Sequence, residues 1–418
     1  MTFPKNKPYD LPAFKVSFLL IVFCLFVLLI PWGGHYGVRK ADTTGKHSSI
    51  AKITRPVLTG IFPRKRLFQH LKKGRDRPIT WITAPPGSGK TILVASYIDF
   101  IKAPCLWYQV DKTDDELSTF FYYMGLAAKK AAPHRRKSLP LLTPEYLLGI
   151  PTFTHRYFEE FYSRLKPSSI IVFDNYQQVP AESKFHEIIN DGLSIIPEKI
   201  HVIVISREGL PQALVRLHAN NNIHFLGWDE IRFTLNESEE ILRMKVQGGL
   251  TSEELLPLHE KTDGWAAGLV LMAEMTRIQK VNYQVLSKLV PEEIFDYFSS
   301  EILNKTDEET QDFLLKTAFL PQFSPDMAQG LTGNARTHRI LSDLSHKNYF
   351  IQKHVYHQEA YQYHPLFREF LLARAKHAYT PEDLLQLQHT AGQILEVNDQ
   401  VEDAGSLFRN GGELDSLV

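Results

Sequence analysis

The chain has 418 residues, enough for two or three domains with cores of their own, and its 47 basic and 47 acidic side chains cancel. Zero net charge excludes the broad basic field by which proteins hold nucleic acid or anionic membrane surfaces. Two cysteines exclude a disulfide framework or a thiolate metal site and fit a reducing compartment, and among the 17 histidines the nearest to a cluster, His354, His357 and His364, lack metal-motif spacing.

In chain order, the first feature is the apolar run 16–30 (VSFLLIVFCLFVLLI), followed by Trp32 where an interfacial aromatic would sit. Fifteen helical residues rise about 22 Å, and 14–32 nearly span a ~30 Å hydrocarbon core. Residues 1–34 therefore read first as an N-terminal apolar helix anchored in a membrane. A signal-peptide core and an extended start are the alternatives. Residues 35–51 turn polar and aperiodic, as a linker should.

Residues 53–62 (ITRPVLTGIF) lead into a short helix ending at Gly74. Residues 79–83 are apolar and β-rich, and 91–102 carry apolar residues at helical spacing, so the Gly-rich segment between them falls at a strand-to-helix turn. With Ala84 in first place it matches the pattern [AG]xxxxGK[ST] of a phosphate loop. Pro86, Gly87, Ser88, Gly89, Lys90 and Thr91 are the candidate cradle for ATP or ADP. Glycine lets successive N–H groups turn toward an anion at the helix N-terminus, Lys90 reaches the outer phosphates, and the Thr91 hydroxyl binds Mg2+. Arg55 and Phe62 are candidates to cover the base, plain packing being the alternative.

Residues 105–110 form a second buried strand, 117–132 an amphipathic helix, 138–154 a loop with three prolines, and 156–165 another helix. Next, 168–175 (SSIIVFDN) put four apolar residues before Asp174, describing a parallel strand whose carboxylate emerges at the ligand-binding edge. Asp174, 84 residues after Lys90, is the candidate Mg2+ acid of Walker B type. Asn175 follows it and can orient a water but not take its proton, so slow turnover or none is expected. After a helix at 182–195, the strand 201–207 (HVIVISR) brings Arg207 beside Asp174, either as a γ-phosphate sensor or as a surface arginine.

The ordered set ITRP, APPGSGKT, IIVFDNY, HVIVISRE, IRFT, KTDGWAAGLVLMA and YHPLFREFLLAR, over roughly 50–418, resembles the N-terminal half of MalT-type, large ATP-binding LuxR-family regulators of the STAND class. The resemblance implies an α/β P-loop NTPase with a parallel sheet flanked by helices (52–228), then an all-α lid (229–284). A winged-helix domain (285–378) and the start of a TPR-like α-superhelix (379–418) follow. It also implies a closed ADP form, an ATP form that self-associates, and an inducer or protein partner. A nucleotide site of this kind places the bulk of the chain on the cytoplasmic face, anchored to the inner membrane if 14–32 insert.

Within that plan, Asn236 and Glu239 are a candidate helix start in 231–247, 250–261 have helical spacing, and Gly264 and Trp265 open the helix 266–278. The family often has proline where Ala266 stands, so Gly264 and Trp265 read as a packed junction rather than a ligand contact. Residues 292–374 supply helices, then a β-wing from 349–353 and 361–363, then a helix opening at His364-Pro365. By resemblance His364 touches the nucleotide phosphates; a capping or core histidine is the alternative. Residues 281–376 hold 10 basic and 12 acidic side chains, so no DNA footprint is expected, and 383–397 with 401–408 form one helical hairpin with no helix-turn-helix after it. The rival functions are an active ATPase of AAA+ or transport type and an interaction scaffold with a degenerate site.

Overall fold

The computed structural model describes residues 50–58, 60–135, 137–245, 252–279, 292–355 and 359–411. The apolar run at 14–32 lies outside the described residues, and no helix among them is long and apolar enough to cross a membrane.

Five strands, β1 (Ile79–Thr83), β2 (Cys105–Gln109), β3 (Ile170–Asp174), β4 (His201–Ser206) and β5 (Ile223–Leu226), make a sheet in the order β2-β3-β4-β1-β5. Every pairing is parallel. Parallel strands are covered on both faces, which is why β1, β3 and β4 read as nearly unbroken apolar runs. Trp81, Phe173 and Val204 face one side, where helices α3 (Leu117–Ala131), α4 (Ile150–Ser163) and α5 (Phe185–Ser194) pack. Ile82, Val172 and Ile203 face the other, under α1 (Lys65–Gly74) and α2 (Lys90–Ile101). After β1 the chain crosses to the far edge at β2, works back to β4 on one side of β1, and ends at β5 on the other. The loop after β1 therefore sits at the switch point, where open sheets bind ligands.

Two short helices, α6 (Val215–Ala219) and α7 (Trp228–Ile231), lead out of the sheet region. Helices α8 (Leu235–Lys245), α9 (Ser252–Thr262) and α10 (Ala266–Gln279) share a small core around Phe233, Leu242, Leu255 and Leu269. Then come α11 (Glu292–Glu301), α12 (Glu308–Thr317), α13 (Pro325–Thr332), α14 (Thr337–His346), the antiparallel hairpin of β6 (Ile351–Val355) and β7 (Glu359–Tyr363), and α15 (Pro365–Ala378). Phe298, Phe313, Leu341, Phe367 and Phe370 are their common core. Helices α16 (Pro381–Val397) and α17 (Val401–Gly411) close against each other at Gly392, where a Cβ would lie 2.6 Å from the Phe408 ring.

Three elements differ from the sequence expectations. Helix α4 begins at Ile150 with Pro151 in its first turn, six residues before the expected start, because proline there forfeits only an N–H that has no helical partner. The start of α8 is capped by Thr234 and Glu237, not Asn236 and Glu239. The Thr234 N–H donates to Glu237 Oε2 at 3.1 Å and the Glu237 N–H to Thr234 Oγ1 at 3.3 Å, while Glu239 pairs with Arg243 on the surface. Strand β5 carries too mixed a sequence, IHFL, for its alternation to stand out, and it is the neighbour of β1 that frames the loop.

Candidate functional site

The loop between β1 and α2 turns on Gly87 (φ +73) and Gly89 (φ +82), conformations a side chain would strain; Gly89 also caps α2. Its carbonyls are held from above. Trp265 Nε1 donates to the Pro86 carbonyl at 3.0 Å and the Ala267 N–H to the Gly87 carbonyl at 3.1 Å. In a trans peptide the C=O and the next N–H point in opposite directions, and no described peptide is cis. The Gly87 and Ser88 N–H groups are thereby turned away from this roof, with the Ser88 N–H in a long 3.4 Å turn contact to the Pro85 carbonyl.

Lys90 is buried, and its ammonium donates to the Ala84 carbonyl (2.6 Å), the Pro85 carbonyl (2.9 Å) and Ser88 Oγ (3.3 Å), all neutral acceptors. Burial and the nearby Arg207 charge press its pKa down to about 7, against the pull of Asp174. At the end of β3, Asp174 Oδ1 accepts from Thr91 Oγ1 at 3.1 Å and from the Asn175 N–H at 3.0 Å. Burial pushes the Asp174 carboxyl up to about 6, although both hydrogen bonds and Lys90 oppose this. A buried ammonium and a buried carboxylate are thus each driven toward neutrality, which an anion beside one and a cation beside the other would reverse. The hydroxyl and carboxylate oxygens of Thr91 and Asp174 are the hard donors that Mg2+ takes, and the inward N–H groups suit phosphate oxygens. The residues fit a Mg2+-polyphosphate.

Asn175 sits in the left-handed region (φ +61), aiming its N–H back at the Asp174 carboxylate. Arg207, just past β4, does not project freely: its Nη1 donates to Glu301 Oε2 at 2.6 Å, and Glu301 also takes Lys305 at 3.0 Å. The Asn348 carboxamide bridges the ends of β4 and β1, donating to the Arg207 carbonyl (2.7 Å) and to Thr83 Oγ1 (3.0 Å). Gln177 Oε1 accepts the Arg207 N–H at 3.0 Å, and its Nε2 is buried with no partner among the described residues.

Of two further expected ligands, Arg55 lies away from the loop and His364 lies beside it at Pro85. Arg55 pairs with Asp99, nine residues and about 14 Å along α2 from Lys90. His364 lines a cavity of about 20 Å3 together with Pro85, Trp228 and Asn348, and lies edge-on to Trp265 at 6.0 Å between ring centroids. Its Nε2 donates to the Thr262 carbonyl at 2.7 Å and its Nδ1 has no partner among the described residues. Burial lowers its pKa to about 4, so in the ligand-free chain the ring is neutral and Nδ1 is an acceptor; an anion beside it would favour the doubly donating imidazolium. The junction at Gly264 and Trp265 is packed as expected, since a Cβ on Gly264 would lie 2.4 Å from the Phe233 carbonyl oxygen, yet it also forms the roof of the loop. Glu301, Asn348 and Gln177 carry no local signal by which sequence reasoning could have found them.

Residues 299–383 match the family described as MalT winged helix domain, and residues 61–207 that described as Nephrocystin 3, N-terminal. An HTH-type transcriptional regulator MalT from Yersinia pestis (strain Pestoides F) is 26% identical over 349 residues, 82% of this chain and 38% of the relative. One from Serratia proteamaculans (strain 568) is 26% identical over 332 residues, 78% of this chain and 36% of the relative. The chain therefore spans less than two-fifths of the length of these curated relatives. Among solved structures, the Walker-type ATPase paby2304 of Pyrococcus abyssi superposes with a TM-score of 0.54 at 15% identity, covering 74% of this chain and 96% of that one, a likeness of fold.

Proposed function

We propose, from the premise that this chain is a MalT-like P-loop NTPase, that it is a nucleotide-dependent signalling switch in which Mg2+-ATP and ADP set how the helical and winged-helix segments sit on the loop. One observation carries the reading: the roof of the phosphate loop is made by those segments themselves, through Trp265 on Pro86, Ala267 on Gly87, Glu301 on Arg207 and Asn348 on Thr83. A ligand moves such an equilibrium by its differential affinity for the two arrangements, so contacts between loop and roof are where nucleotide binding becomes movement.

Lys90 and the loop N–H groups hold the phosphates, and Thr91 and Asp174 hold Mg2+. The bound nucleotide supplies the negative charge, and the metal its neutralisation. Asp174 is kept in place by Thr91 and the Asn175 N–H. With Asn175 where a second acid would serve as base, hydrolysis is slow and the bound nucleotide defines the state. Arg207 senses the γ-phosphate. Self-association of the ATP form and an inducer acting on the opened arrangement complete the switch. We assign it to transcription regulation because the matched relatives carry that name. For the organisation we take 52–228 as the NTPase unit, 229–284 as the lid, 285–378 as the winged helix and 379–418 as the first helical repeat.

The test is Lys90→Ala. The unaltered chain should melt several degrees higher with Mg2+-ADP or Mg2+-ATP and the variant should not, because a ligand stabilises by mass action on its own site. An equal shift in both would remove the phosphate assignment.

A further inference from the structure

A carboxylate from the winged-helix half enters the charge cluster of the loop. Glu301, the last residue of α11, accepts from Arg207 and Lys305, and although burial pushes its carboxyl up, those two cations hold it below the ordinary range. One turn earlier on the same helix, Tyr297 lies directly over the loop: a Cβ on Gly87 would come within 2.9 Å of its hydroxyl. The charges of Glu301 and Arg207 both act on that partly buried phenol, and Arg207 acts on Lys90, which acts on Asp174. Glu301, Arg207, Lys90 and Asp174 are therefore one charge cluster, two cations between two acids, and its outer acid is delivered by α11.

We propose that Glu301 is the specificity-determining residue that sets the preference of this site for a nucleoside diphosphate over a triphosphate, by occupying the Arg207 guanidinium with a carboxylate. The inference rests on the phosphate-loop reading above and adds the competitor for its sensor. A guanidinium fork takes a carboxylate or a phosphate in the same geometry, so the two compete for one partner. A further phosphoryl group also brings negative charge toward Glu301, and like charges in a partly buried cluster repel strongly. A diphosphate leaves the Arg207–Glu301 pair intact. A triphosphate must displace Glu301 and with it the end of α11, so the same contact that discriminates also couples to the winged helix.

Calorimetric titration of the full chain with Mg2+-ADP and with a slowly hydrolysed Mg2+-ATP analogue tests this. Glu301→Gln should tighten the triphosphate relative to the diphosphate on the order of tenfold, a usual size for coupling between sites. Glu301→Asp, which keeps the charge, should retain most of the original preference. In an Arg207→Ala background the Glu301→Gln effect should vanish. An unchanged affinity ratio in Glu301→Gln, or the same shift without Arg207, overturns the inference while leaving the phosphate loop standing. Failure of the unaltered chain to bind either nucleotide overturns both.

Discussion

Asp174→Asn should make the chain more stable in the absence of nucleotide while removing its response to Mg2+-nucleotide. The carboxyl is 3% exposed, and burial raises it from 3.8 to about 6. A carboxyl whose folded value is raised binds its proton more tightly in the folded chain. Folded stability is therefore lost as pH rises from about 3.8 to about 6, and the whole penalty remains above that. At roughly 1.4 kcal/mol per pH unit the penalty is about 3 kcal/mol. The amide keeps the oxygen that accepts from Thr91 and Asn175 but introduces an NH2 needing a partner, which costs about 1–2 kcal/mol; the attraction to Lys90 is already contained in the value of about 6, so the net gain is about 1–2 kcal/mol. For a unit of this size that raises Tm by about 2–8 °C. Thermal unfolding followed by circular dichroism at pH 8 and pH 4, with and without Mg2+-ATP, is the assay. The gain should appear at pH 8 and disappear or reverse at pH 4, where the penalty is nearly absent and the cost of the amide remains, and the Mg2+-ATP shift should be lost in the variant. A variant less stable than the parent at pH 8, or a gain of equal size at both pH values, would refute the assignment of Asp174 as a buried, penalised carboxylate.

Restoring a proton acceptor with Asn175→Asp should raise the hydrolysis rate by about 100-fold without weakening ADP, as positioned general bases typically contribute; an unchanged single-turnover rate would exclude Asn175 as the limit. Trp265→Phe should keep the ring packed but leave the Pro86 carbonyl without its donor, costing about 1–3 kcal/mol of roof stability. Hydrogen exchange should then accelerate at the loop and the start of α10, and unaltered protection would remove Trp265 from the roof.

The elements of the sheet were legible because they follow from local patterning. Nearly unbroken apolar runs at β1, β3 and β4 announce strands buried on both faces, and the glycines before Lys90 announce a turn that few other residues allow. Arg55 and His364 were drawn to the site by position in a motif; in the structure Arg55 pairs with Asp99, and His364 bonds the Thr262 carbonyl while lying beside Pro85. Strand β5 was missed because half-buried edges mix polar and apolar residues, so His224 broke the pattern.

The residues alone pointed to phosphate-binding chemistry: a loop, an ammonium, a hydroxyl and a carboxylate whose types and spacing suit that ligand. Tertiary structure decided what that chemistry is connected to. The contacts between loop and roof join residues 94, 141 and 179 positions apart, Arg207 to Glu301, Arg207 to Asn348 and Pro86 to Trp265. Such pairs meet through the packing of whole elements, and a carboxylate at the end of α11 has no feature in its own neighbourhood that marks it as the partner of a guanidinium just past β4.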